Sequence, residues 1–222
     1  AGHILVVAGV INVIYGALIT LRQTDLKRLI AFSSISHMGL VLIGISSLSM
    51  SSSNIGLTGA SMQMFTHGTI TGLMFLVVGY IYEKTHTRYI PDLGGLASRM
   101  PIISVVFVVA GLASLGLPGT SGFVSELLVF VGTFPIWQWY TGIAAFGIVI
   151  TAGYILWMIE RTLFGEPRER FSDITDANGF EIIPMFLLLF VIIAVGIYPS
   201  IISDLFKEGS VQIIQNAASA VK

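Results

Sequence analysis

Charged side chains in this chain are gathered into short connections, and between them lie apolar runs, each long enough to cross a bilayer. A span needs about 20 mostly apolar residues. Six such runs can be drawn, at about 2–21, 26–48, 56–82, 101–134, 140–160 and 181–199. Hydrocarbon offers no water to backbone N–H and C=O groups, so each run must satisfy its own, as a helix does. The expected fold is all-α, a polytopic transmembrane helix bundle. Composition agrees: 55% of the 222 residues are hydrophobic and 10% charged, against roughly 25% charged in soluble domains. A net charge of −1 gives no electrostatic ground for a nucleic-acid partner. Cysteine is absent, which excludes a disulfide and any thiolate metal or iron–sulfur site in this chain. The chain begins at Ala1 inside an apolar run with no signal-peptide n-region, which points to a piece of a longer polypeptide.

The connections fall near 22–25, 49–55, 83–100, 135–139 and 161–180. Alternate connections must share a side, so the basic residues can be assigned. One side receives Arg22, Lys27, Arg28, Lys84, Arg88, Arg99, Arg161, Arg168 and Arg170; the other receives Lys207 and Lys222. By the positive-inside rule the first side is cytoplasmic, or its organellar equivalent. An odd number of spans would scramble the split. Trp137, Trp139 and Tyr140 read as an interfacial aromatic belt. The tail 200–222 is mildly amphipathic, suited to the membrane surface or to a neighbouring helix. The charges of Glu83, Lys84, His86, Arg88 and the 160–176 cluster read as loop charges or subunit contacts, and His3 is assigned no role.

The fourth run, 101–134, would be about 50 Å long as one helix, against a hydrocarbon core of roughly 30 Å. Pro118–Gly119 supplies a break, since proline lacks an N–H and clashes with the preceding turn. Broken backbone at membrane depth should face the interior of a bundle. Glu126 follows the break. If a second half-helix starts near Thr120 or Ser121, Glu126 lies in its first two turns. There the helix dipole favours the ionised carboxylate while burial favours the neutral acid. Such a balance suits a proton carrier; a silent pairing with lysine is the plainer reading. His37 sits near the middle of the second run, beside Ser33, Ser34 and Ser36, and His67 is similarly deep in the third. Both could relay protons, or rest as neutral histidines bonded to neighbouring helices. Gln63, His67 and Thr71 make a polar stripe, and Gly68 and Gly72 beside it could equally mark a close helix contact. Lys27 opens the second run and could anchor it by snorkelling. Separated protonatable groups at middle depth suit ion conduction better than covalent chemistry.

Five stretches carry a resemblance: QTDLKRLIAFSSISHMGLVLIGI (23–45), MQMFTHGTITGLMFLVVGYIYEKTHTR (62–88), LGGLASRMPI (93–102), ASLGLPGTSGFVSELLVF (113–130) and, less specifically, GYILWMIERTLFG (153–165). Together they resemble the antiporter-like membrane subunits of NADH–quinone oxidoreductase (respiratory complex I), of the subunit M or mitochondrial subunit-4 type. The resemblance implies about fourteen spans built on two inverted repeats, each with a broken helix. Residues 1–163 would form the second five-helix repeat, 164–180 the charged cytoplasmic-side connection, and 181–222 the final span and tail. Glu126 would be the terminal proton carrier, His37 and His67 would line the hydrated central path, and Lys27 would match the lysine of the TDLKR motif. The resemblance places flavin and iron–sulfur clusters in partner subunits and no cofactor or metal in this chain. The implied partners are the L-, N- and K-type membrane-arm subunits and the bilayer of an energy-transducing membrane. The implied function is proton translocation driven by redox chemistry elsewhere, with this piece holding the central and exit part of the path. A subunit of a multisubunit Na⁺/H⁺ antiporter is the alternative, and a passive membrane scaffold a third reading.

Overall fold

The computed structural model describes residues 2–49 and 54–220. Ala1, most of the connection expected near 49–55, and Lys222 lie outside the described residues. The elements are α1 (Gly2–Leu21), α2 (Leu26–Ser46), α3 (Ile55–Thr85), α4 (Pro101–Ser114), α5 (Ser121–Leu163), α6 (Gly179–Ile197) and α7 (Ser200–Ala220). Among the described residues the extended pairing is a single bridge, Asp25 with Tyr89. Helices α1, α2, α3, α5 and α6 are long and apolar enough to cross a membrane, and α4 is a shorter apolar helix.

Local chemistry sets the helix starts. The Asp25 side chain caps α2 by accepting from the Arg28 N–H at 3.0 Å. Asn178 and Glu181 form a capping box at the start of α6. Pro101 occupies the first turn of α4, where its missing N–H costs nothing. The next two N–H groups, of Ile102 and Ile103, donate to Asp176 from the distant charged connection, at 2.6 and 3.2 Å.

The broken fourth segment is present as α4 and the first part of α5. Between them Gly116 and Gly119 take φ of +79° and +93°. The turn bonds to itself: Leu117 N–H donates to Leu112 O at 3.0 Å, and Thr120 N–H to Leu117 O at 3.1 Å. The break is expected to face the interior of a bundle; Ser114 and Thr120–Gly122 are buried, while Leu117, Pro118 and Gly119 are exposed on this chain.

The connection expected near 135–139, ahead of a separate span, falls where α5 breaks: two helices meet at Gln138 (φ 6°, ψ −77°), three residues after Pro135. Thr141 Oγ1 donates to Thr133 Oγ1 at 3.2 Å, although residues eight apart on a straight helix are separated by about 12 Å. The chain therefore folds back there, and α5 has two arms, 121–137 and 139–163. The reversal uses one residue rather than a loop because proline has already removed a rung of the helical ladder.

Small residues draw three elements together. A Cβ on Gly59 of α3 would lie 2.6 Å from Val129 N in α5, and a Cβ on Gly44 of α2 would lie 2.7 Å from Gly56 O in α3. Such contacts let helix backbones approach closely in a membrane. α6 closes over the break, with Gly196 against Gly119 and Thr120. α7 packs on the first half of α3 through Phe65–Phe206 (centroids 6.4 Å apart) and Thr58–Ser210 (3.4 Å). The other end of the bundle gathers the basic residues, where Lys84 pairs with Glu181 at 3.2 Å and Arg88 with Asp25 at 3.7 Å. The aromatic belt divides: Trp139 is exposed, but Trp137 is buried against His3, with ring centroids 4.7 Å apart.

Candidate functional site at the broken helix

Glu126 is the sixth residue of α5, in the second turn after the break, and it is buried at 6% exposure. Its carboxylate does not face lipid. Oε1 lies 3.4 Å from Nδ1 of His37, itself 4% exposed on α2. The other ring nitrogen of His37, Nε2, lies 3.4 Å from Ser114 Oγ, at the last residue of α4. A helix from each side of the break therefore holds one end of a three-member line, carboxylate–imidazole–hydroxyl. Gly116 is fitted to it: a Cβ there would sit 2.7 Å from Glu126 Oε2.

His67 on α3 stacks obliquely beside His37, with ring centroids 5.0 Å apart and planes inclined by 35°. It is half-buried, and its Nε2 lies 3.0 Å from Ser34 Oγ, with Thr71 Oγ1 at 3.2 Å. The neighbouring Gly68 and Gly72 meet nothing within 4 Å of an added Cβ. In this chain they do not mark a close helix contact. Lys27 is not brought to the group. It is exposed at the basic end, beside a groove of about 390 Å³ shared with Phe75, Tyr82 and Arg88.

Residues that the sequence reading left unassigned complete the surroundings. Ser125, fully buried, donates to Gln63 Oε1 in a short hydrogen bond and lies 2.8 Å from Thr66 Oγ1. Gln63, Thr66, Ser114, His37, His67 and Glu126 line one small cavity of about 10 Å³, on the order of the space one water requires. Gln63 was legible as part of a polar stripe with His67, but the structure turns it toward Ser125.

The line of groups can hold one proton more or less without losing a bond. With Glu126 ionised, a neutral His37 can donate Nδ1–H to the carboxylate and accept from Ser114 at Nε2. With Glu126 protonated, the acid can donate to Nδ1, and Nε2–H can donate to Ser114 Oγ. Carboxylate, imidazole and hydroxyl each have the capacity for both roles.

Residues 1–151 match the family described as NADH:quinone oxidoreductase/Mrp antiporter, TM. The chain belongs to this family. It is 41% identical over 215 residues to the F(420)H(2) dehydrogenase subunit M of Methanosarcina mazei, covering 97% of this chain and 43% of that protein. It is 39% identical over 207 residues to the NADH-quinone oxidoreductase subunit M of Rhodobacter capsulatus, covering 93% and 40% respectively. A chain of the respiratory complex I from Thermus thermophilus with bound NADH shares its fold at a TM-score of 0.89 and 27% identity, over 97% of this chain and 44% of that one. This member of the NADH:quinone oxidoreductase/Mrp antiporter family thus spans less than half the length of these relatives.

Proposed function

We propose that this chain is the portion of a proton-translocating, subunit M-type membrane-arm protein that carries the central and exit part of its proton path. The observation that carries the reading is the Glu126–His37 pair, 3.4 Å apart and buried beside a helix break. Ionisable groups inside a membrane are expensive and mark ion and proton routes, and this one keeps its hydrogen bonds in either protonation state. A proton reaching His37 adds at Nε2, on the Ser114 side, while Nδ1–H passes to Glu126. His67, with Ser34 and Thr71, is the half-exposed approach, and Lys27 stands apart as a charge at the basic end. The basic end faces the cytoplasm on this reading. Residues 1–163 act as one repeat, 164–180 as a connection, and 181–222 as a final span with its tail. No redox step occurs in the chain; flavin and iron–sulfur clusters belong to partner subunits, and L-, N- and K-type membrane subunits are its neighbours. The family description also covers Mrp antiporters, but relatives of 39–41% identity are subunits of quinone-linked or F(420)H(2)-linked oxidoreductases by name.

The test is Glu126→Gln, which keeps size and removes titration, in the full-length subunit within its parent complex. Reconstituted in proteoliposomes, the complex should pump at about a tenth of the parent rate or less, as expected when a proton-transfer group is removed. Glu126→Ala should behave alike. Parent-level pumping by both would remove the carboxylate from the path.

A further inference from the structure

Gln63 is a buried amide at 2% exposure, with its two ends in different situations. Its carbonyl Oε1 is held by the Ser125 hydroxyl. Ser125 has one hydrogen to give. When that hydrogen goes to Gln63, Thr66 at 2.8 Å is the donor to Ser125 Oγ. Ser125 Oγ also lies 3.0 Å from Gly122 O; with its hydrogen on Gln63 Oε1, the order Thr66→Ser125→Gln63 directs the amide N–H pair away from Ser125. Its N–H pair makes no hydrogen bond to protein among the described residues, and Gln63 lines the same cavity as Glu126 and His37. Gln63 and Glu126 share that cavity, and Glu126 is the anionic acceptor on it for an amide N–H.

We propose that Gln63 is a positioning residue for Glu126, clamped by Ser125 and Thr66 so that its amide N–H groups donate toward the ionised carboxylate, directly or through one water. The inference rests on the reading of Glu126 as a proton carrier and adds to it. Gln63 lies toward the start of α3, the end opposite the basic connections, so its help to the ionised form comes on the side where the proton would leave. Discharge to that side is then aided by a donor that His37 and Ser114 do not supply. Few other groups compete. His37 faces Glu126 from α2, His67 lines the same cavity from α3, and the charge of Glu126 reaches Tyr154 on the second arm of α5. α4 and the break contribute no titratable side chain.

The experiment uses the parent complex carrying Gln63→Leu, Ser125→Ala or Ser125→Thr in the full-length subunit. The readouts are the pH profile of proton pumping, the infrared C=O band of protonated Glu126, and the amount of subunit in the purified complex. Loss of a hydrogen bond to a charged group should move the profile by about one pH unit. The protonated-acid band should grow at fixed pH in Gln63→Leu and in Ser125→Ala, while Ser125→Thr, which keeps the hydroxyl, should restore the parent profile. Should Gln63→Leu fail to assemble, Ser125→Ala, which deletes one oxygen, decides the matter. A parent profile and parent band in these variants, even with less subunit assembled, would make Gln63 a packing residue and overturn the proposal. If Glu126→Gln still stops pumping in that case, only this inference falls; if Glu126→Gln pumps normally, the reading beneath it falls instead.

Discussion

Gly116 is the residue at which the broken backbone and the carboxylate meet. It needs a positive φ, and it leaves no room for a Cβ beside Glu126 Oε2. Gly119 shares the first property but not the second, since a Cβ there meets nothing within 4 Å. The two positions therefore separate backbone strain from site geometry. Gly119→Ala should cost about 1–2 kcal/mol of stability from left-handed backbone alone and leave pumping near the parent rate. Gly116→Ala should cost at least as much and also displace the carboxylate from His37, so pumping should fall as in Glu126→Gln. Thermal unfolding of the complex and its pumping rate, measured on both variants, check the distinction; equal pumping losses would deny Gly116 a special place. The residue scale also shows what a sequence discloses. Glu126, His37 and His67 were legible because an ionisable group in an apolar run is costly enough to need a reason. Ser114 and Ser125 were not, because hydroxyls are common in membrane helices and only the fold says which of them face one another.

Helix α4 is the element on which the break depends, and it is the shortest of the apolar helices. Its first turn is tied down by Asp176, which accepts from the N–H groups of Ile102 and Ile103 and from Ala177 N–H at 2.8 Å. A carboxylate at a helix start satisfies orphan donors and meets the positive end of the dipole. Asp176→Ala should destabilise α4 by about 1 kcal/mol, the usual value of a capping side chain. Asp176→Asn, which keeps the acceptor, should lose less. Hydrogen exchange at residues 102–104, read against the rest of the bundle, reports it; unchanged protection would mean that the charged connection does not anchor the helix. The spans themselves were legible from apolar run length, and the break from Pro118–Gly119. So was the reversal within α5, near Pro135 and Gln138; that a single non-helical residue makes it was not. Which connection would cap α4 was equally hidden, since Asp176 lies far from Ile102 in the chain.

At the scale of the whole molecule, charge and packing give the bundle two unlike ends. One carries the Lys84–Glu181 and Arg88–Asp25 pairs, joined by Arg170 to Asp92 at 3.8 Å. The other is reached through the first half of α3, where α7 lies across Thr58 and Phe65. α6 joins them, and its 19 residues make a rod of about 28 Å, close to the roughly 30 Å hydrocarbon thickness. Its Phe186, Leu187 and Phe190 stay exposed on this chain, as suits a surface meeting lipid or another subunit. The absence of cysteine from these 222 residues lets a single introduced thiol report which face it occupies. In a full-length subunit otherwise free of cysteine, Glu169→Cys should react with a membrane-impermeant maleimide only from the cytoplasmic face. Glu208→Cys on α7 should react only from the opposite one. Both labels on one face would mean that α6 does not cross. Labels on exchanged faces would invert the bundle, and a proton leaving on the Gln63 side of Glu126 would then be delivered to the cytoplasm, the reverse of what an outward pump requires.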